Sequence, residues 1–234
     1  MPFTRETRIL GQDEAGELFS RQEEPFLAEG FVKTGDSPST NLALENLLLR
    51  CLTWLKEQAR AIGQVGVGHI PFVLVVPPRF LSFETLLGLA KVESIRSKEG
   101  RPSAIELLDK MTNVDPTPLC PYLLVDGEDG TALRRMSEEN IDRTLCETRR
   151  RTMNAWEGIS LVRVFPETLR DHGIVLSRSF FKFGGEHFLP KVGVAGLFRE
   201  GTHMLFDHIT RISHREVLWS TPSYARRIVA NEEP

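Results

Sequence analysis

The chain has 234 residues, 41% of them hydrophobic and 26% charged, and a formal net charge of −3. That composition belongs to an ordinary globular protein, large enough to bury a core without disulfides or metal. It lacks the basic excess of a dedicated nucleic-acid binder. Cys51, Cys120 and Cys146 are an odd number of well-separated thiols with no CxxC pair, which argues against a disulfide framework or a zinc site. The N-terminal segment carries Arg5, Glu6 and Arg8 and no apolar stretch of a secretory signal. The longest apolar run, about seven residues, falls far below the roughly 20 that span a bilayer. A cytoplasmic location is expected, with no membrane contact.

In chain order, residues 13–31 predict a first helix with Leu18, Phe19, Phe26 and Leu27 as its apolar set, kinked or ended by Pro25. Residues 34–40 form a loop by composition. Leu44, Leu47, Leu48, Cys51, Leu52, Leu55, Ala59 and Ile62 then recur at three- and four-residue spacing. They predict a helix over 44–62, capped by Thr40 or Asn41 and closed by Gly63. Residues 70–76 (IPFVLVV) are apolar at every position and read as a strand buried on both faces. A short helix follows from Ser82 to about Val92. Ser103 and Glu106 have capping-box spacing and open a helix carrying Ile105, Leu108 and Met111. A second apolar strand, 122–125, ends in the turn-forming DGEDG.

Residues 137–151 predict a helix with Ile141, Leu145 and Cys146 facing inward, acidic at its start and basic at Arg149, Arg150 and Arg151, as the helix dipole favours. Asn154 and Glu157 form a second capping-box pair, and Pro166 stops that helix. Residues 174–183 and 186–194 should pair antiparallel about Gly184 and Gly185, since glycine supplies the positive φ of a tight turn. The chain stays β-rich to about Ile212 and ends in an irregular or helical tail. The fold expected is α+β: a single domain with a mixed sheet flanked by helices and a C-terminal hairpin region. Its parts are an N-terminal arm at 1–40, a core at 41–212 and a tail at 213–234.

Few groups point to chemistry. Gly63, Gly66 and Gly68 precede a strand, the reverse of a dinucleotide loop, and read as a connector. The carboxylates of Asp126, Glu128 and Asp129 sit beside glycines where a calcium loop would need further oxygen ligands, so a solvated turn is expected. Five of the six histidines follow residue 170. His203 with Asp207, or His208 with His214, can share a strand face, but neither pair completes a metal shell. Arg178, in the tripeptide Ser177-Arg178-Ser179, is suited to an anion or to a salt bridge across the sheet. Arg149, Arg150 and Arg151 offer phosphate contacts, against the simpler reading of a solvated helix end. The candidate ligand or partner contacts are therefore Arg178, Asp126, His203, Asp207, Arg149, Arg150 and Arg151; no metal or cofactor is expected.

Several short motifs, taken together, resemble a bacterial family of unknown function found mainly in actinobacteria. They are Arg21-Gln22 with Leu27 and Gly30; the strand over 71–75; Tyr122, Leu123, Asp126 and Gly130; Glu157-Gly158 leading to Pro166 and Leu169; then Ser177-Arg178 and Pro190. The resemblance covers about residues 20–197. The family's tail is rich in tryptophan, glycine and cysteine, and residues 198–234 depart from it, so the resemblance implies a shared fold and no activity. With no assembled catalytic set in the sequence, the leading expectation is a non-enzymatic accessory or regulatory protein acting on another protein. The alternative is a hydrolase or ligand-binding enzyme whose His, carboxylate and Arg groups in the C-terminal half meet only in the fold. Nucleic-acid contact through Arg149, Arg150 and Arg151 is the weaker third.

Overall fold

The computed structural model describes residues 6–28, 38–94, 111–134, 136–183, 186–194, 204–209 and 219–231. In chain order its elements are β1 (Thr7–Ile9), α1 (Gln12–Ala28), α2 (Pro38–Arg60), β2 (Gln64–Gly66), β3 (Ile70–Val75), α3 (Phe83–Leu89), β4 (Val92–Ser94), β5 (Met111–Asn113) and β6 (Tyr122–Gly127). They continue with α4 (Glu138–Glu147), β7 (Arg151–Thr152), α5 (Ala155–Val164), β8 (Gly173–Val175), β9 (Ser179–Phe183), β10 (Glu186–Val194), β11 (Met204–Ile209), β12 (Trp219–Ser220), β13 (Ser223–Tyr224) and β14 (Arg226–Val229). The architecture is α+β. Contacts group it into two compact units: Met1–Ser82 with Pro118–Glu128 and Tyr224–Pro234, and Phe83–Thr117 with Asp129–Ser223.

In the first unit, β3 and β6 pair antiparallel, Val73 opposite Leu124, and β14 covers the far side of β6. The unbroken apolar run of β3 is explained by burial: Phe72 to Val75 have no exposed surface. At about 25 cal/mol per Å², leaving such side chains in water would be costly. α2 lays Leu48, Cys51, Leu52 and Leu55 inward, as its spacing predicts. The helix begins at Pro38, several residues before the expected start, and α1 runs through Pro25 to Ala28. Pro25 falls in the last turns of α1, where the bond it forfeits is to the carbonyl of Arg21, an exposed residue. The tail is corrected: residues 226–229 are a strand on β6, neither irregular nor helical.

On the other side of β3 no strand pairs among the described residues. Gln22 of α1, fully buried, takes that place: its Nε2 donates to the Phe72 carbonyl (3.1 Å) and its Oε1 accepts from the Leu74 amide (2.7 Å). One carboxamide thus presents the donor and acceptor that a neighbouring strand would offer, which satisfies a buried edge.

In the second unit β10 is the spine. On one side it pairs with β11 from Leu189 to Val194, and on the other with β9 and then β8. β4 joins β11 and β12 joins β8 in parallel, so the sheet is mixed. The antiparallel partnership of 174–183 with 186–194 follows the sequence expectation, with Phe183 opposite Glu186; Gly184 and Gly185 themselves lie outside the described residues. The register slips between the halves, because Phe181 faces Phe188 whereas Val175 faces Lys191. The extra residues, 176–178, leave the ladder as a turn closed by Ser179 N donating to Leu176 O. Asn154 and Glu157 form the reciprocal capping box of α5. Gly158 is required there, since a Cβ would stand 2.0 Å from Leu176 Cδ2. The expected helix opened by Ser103 and Glu106 lies outside the described residues as far as 110, and Met111, assigned to it, belongs to β5.

Candidate functional site

The second unit contains a cleft of about 500 Å³, lined by the polar Asp142, Arg150, Arg151, Thr152, Ser177 and Arg178 and by the apolar Val114, Ile141, Leu145 and Leu189. Two breaks in regular structure deliver its arginines. The first is the end of α4, which stops at Glu147 and not at Arg151 as the sequence predicts. The Arg150 amide donates to Leu145 O (2.8 Å) and the Arg149 amide to Cys146 O (3.1 Å), the two bonds of a Schellman motif. Arg149 holds the left-handed position of that motif at φ 53°, a position that usually falls to glycine.

The reversal at Arg149 turns Arg150 inward. It is 5% exposed, and its guanidinium donates from Nε to Ser223 Oγ (2.9 Å) and from a terminal nitrogen to Ser223 O (3.2 Å). Arg149 and Arg151 are exposed. The three arginines therefore do not form one solvated helix end, which corrects the simpler of the two readings of that run. Cys146, expected to face inward, is exposed and lines the cleft, while Ile141 and Leu145 pack on Leu133.

The second break is the excursion at 176–178, which places Ser177 and Arg178 on the cleft wall. Arg178 is tied on both backbone sides, accepting at its carbonyl from Val114 N (2.8 Å) and donating from its amide to Met153 O (3.4 Å). Its guanidinium pairs with Asp115 at 2.5 Å, the salt bridge foreseen as one of its two roles. Beside it, Ser179 Oγ donates to Asn113 Oδ1 and accepts from the Ala155 amide (2.8 Å), fastening the start of α5 to β5.

In the first unit a group that sequence reasoning missed comes together. His69 Nδ1 lies 2.6 Å from Asp126 Oδ1, and its Nε2 lies 2.8 Å from Glu128 Oε1. Asp126 Oδ1 also accepts from the Gly66 amide (2.8 Å), so the DGEDG segment is not a solvated turn at this point. Gly66 lies so close to the ring that a Cβ there would be 2.4 Å from it. The two carboxylates occupy opposite nitrogens of one ring. That arrangement fastens the β2–β3 turn to the end of β6 and leaves no shared vertex for a metal ion. The signal for it was present as the one histidine before residue 170, beside a glycine and ahead of a strand, but its partners are some sixty residues away.

His203 lies outside the described residues, and Asp207 sits on β11 opposite Lys191 in register. Among the described residues no group of three or more His, Cys, Asp or Glu is placed to hold a metal ion, and no helix is long and apolar enough to cross a membrane. No family model matches the chain, and no curated protein or solved structure matches it.

Proposed function

We propose that the protein binds a small amphipathic anion, a carboxylate or phosphate on an apolar body, in the cleft between the end of α4 and the 176–178 turn. The observation that carries this reading is that Arg150, Arg151 and Arg178, outnumbering the single carboxylate Asp142, line one cleft together with Thr152, Ser177 and the aliphatic Val114, Ile141, Leu145 and Leu189. A volume of this size falls in the range of small-molecule sites. Guanidinium groups form the strongest, most directional hydrogen bonds to carboxylate and phosphate oxygens. Asp115 offsets part of the charge of Arg178 and fixes its direction. Arg151, being exposed, is the arginine with most freedom to close on a ligand.

Calorimetric titration with phenyl phosphate, benzoate and the uncharged benzyl alcohol tests this. The anions should bind saturably, more weakly as salt rises, and Arg151→Gln should weaken them about tenfold, the equivalent of one charge-assisted hydrogen bond of ~1.5 kcal/mol. Equal binding of benzyl alcohol, or no binding of either anion, would remove the reading.

A second reading, the accessory protein that acts on a protein partner, draws on the first unit. Leu42 and Leu49 of α2 are 58% and 41% exposed. They lie seven residues apart and therefore on one face of the helix. Affinity capture from the native host should then recover a partner with the wild-type chain and lose it with the Leu42→Lys, Leu49→Lys double variant.

A further inference from the structure

Resting on the reading of the cleft as an anion site, we propose that Asp115 is its internal competitor: a latch on Arg178 that an incoming carboxylate or phosphate group must displace. The base of the latch is fixed. Val114 N donates to Arg178 O (2.8 Å), which sets the two chain segments side by side, and Asn113 Nδ2 donates to Thr117 Oγ1 (2.9 Å) across the turn that carries Asp115. Pro116 further restricts the backbone of Asp115. The carboxylate is therefore held in place, and the longer side chain of Arg178 is the part that can move.

The pairing itself is incomplete. Asp115 Oδ2 accepts from Arg178 Nη2 at 2.5 Å. Nη2 and Nε share one edge of the guanidinium, the two-donor fork that a carboxylate or phosphate fills with two oxygens. Nε is buried, and among the described residues it has no hydrogen-bond partner. Asp115 thus occupies one prong and leaves the other as a buried donor without an acceptor, which destabilises the closed pair. Both side chains are about one-third exposed, 31% for Arg178 and 33% for Asp115, where solvent weakens an ion pair. A weak, one-pronged contact yields to an anion that serves both prongs. The same arginine lines the cleft with Arg150 and Arg151, so a released Arg178 meets its alternative partner within the site. Asp115 thereby lowers the affinity of the site for every anion that must recruit Arg178.

Calorimetric titration of the full chain with phenyl phosphate at ~150 mM salt, where distant charges are screened, tests the latch. Asp115→Asn keeps an oxygen to orient Arg178 and removes the competing charge. It should bind about two- to fivefold tighter than wild type, the contribution of a part-exposed ion pair. Arg178→Gln should weaken binding about tenfold, and adding Asp115→Asn to it should then change nothing further. NMR of the arginine side chains gives a second readout. The Arg178 Nε–H signal, assigned by its loss in Arg178→Gln, should move downfield on saturation with phenyl phosphate and stay in place with benzyl alcohol. Wild-type affinity in Asp115→Asn leaves the cleft reading intact and overturns the latch. An equal gain from Asp115→Asn with and without Arg178 does the same, since the charge would then act through space alone. Absence of binding in both wild type and Asp115→Asn removes the cleft reading, and the latch with it. Should Arg178→Gln not fold, or bind too weakly to titrate, the Nε–H signal decides, assigned through Arg178→Lys: an unmoved signal at saturation overturns the proposal.

Discussion

Replacing Gln22 by methionine isolates the edge-capping contact of β3, because methionine fills nearly the same volume and offers neither the donor nor the acceptor. The wild-type carboxamide serves the Phe72 carbonyl and the Leu74 amide, and all three residues are buried. In Gln22→Met those two backbone groups stay buried without that partner, at about 1–3 kcal/mol each. Relief from desolvating the carboxamide itself returns part of this, leaving a net loss of about 2–3 kcal/mol. That is a large share of the roughly 5–15 kcal/mol that holds a domain folded. With a urea slope of about 2 kcal/mol per M for a small protein, the midpoint should fall by roughly 1–1.5 M. Hydrogen exchange at the Leu74 amide should rise in parallel, because that N–H loses its acceptor. Gln22→Glu should lose at least as much near neutral pH, since a carboxylate has no hydrogen to give Phe72 O. A midpoint within ~0.25 M of wild type for Gln22→Met, with Leu74 still protected, would refute the idea that this side chain stands in for a strand.

Two further outcomes follow from local geometry. Arg149→Gly should raise stability by about 0.5–1 kcal/mol in urea denaturation, because it relieves a non-glycine residue at positive φ, and should leave the fold of α4 unchanged. Alkaline stability should report on Cys51, whose thiol is raised from 9.0 to about 12 in the fold. Between those values the unfolded chain ionises the thiol and the folded chain does not, so the contribution is complete below pH 9 and drains away as pH rises toward 12. The drop in urea midpoint from pH 8 to pH 10.5 should be visibly smaller in Cys51→Ala than in wild type, whatever the cost of the substitution itself; parallel drops would count against the assignment.

What the sequence revealed and what it hid divide along the range of the interactions. The run at 70–76, the apolar stripe of α2, the Asn154–Glu157 box and the pairing of 174–183 with 186–194 were legible because each signal is complete within a few residues. The role of Gln22 was not, since a glutamine on an amphipathic helix looks like a surface residue until β3 is laid against it. The same holds for His69, whose two carboxylates lie beyond β3 in the chain. Strand β14 hid for another reason. Arg226 and Arg227 make its first half read as polar tail, and only the uncovered side of β6 gives Ile228 and Val229 a place to pair.

The candidate cleft extends the same lesson, because its polar groups are carried by departures from regular structure. Arg150 points inward because Arg149 adopts a left-handed turn that its residue type disfavours. Ser177 and Arg178 reach the wall because the strand leaves its ladder with β10 between Val175 and Ser179. At that place β10 presents Pro190, which has no amide to give the ladder and receives the Leu176 N–H at its carbonyl instead. A continuous strand through 173–183 would have put Ser177 and Arg178 on opposite faces of the sheet, and a helix continued through Arg151 would have spread Arg149, Arg150 and Arg151 over about 200° of its surface. Arg150, Arg151 and Arg178 therefore reach one cleft because regularity fails at two points. The cost of the left-handed Arg149, about 1–2 kcal/mol against the right-handed form, is of the size that a bound anion can return through two or three charge-assisted hydrogen bonds. If the cleft has no ligand, Arg149→Gly is simply the better sequence; if it has one, the same substitution should raise stability while leaving anion affinity in place, since glycine keeps the turn that aims Arg150 and Arg151.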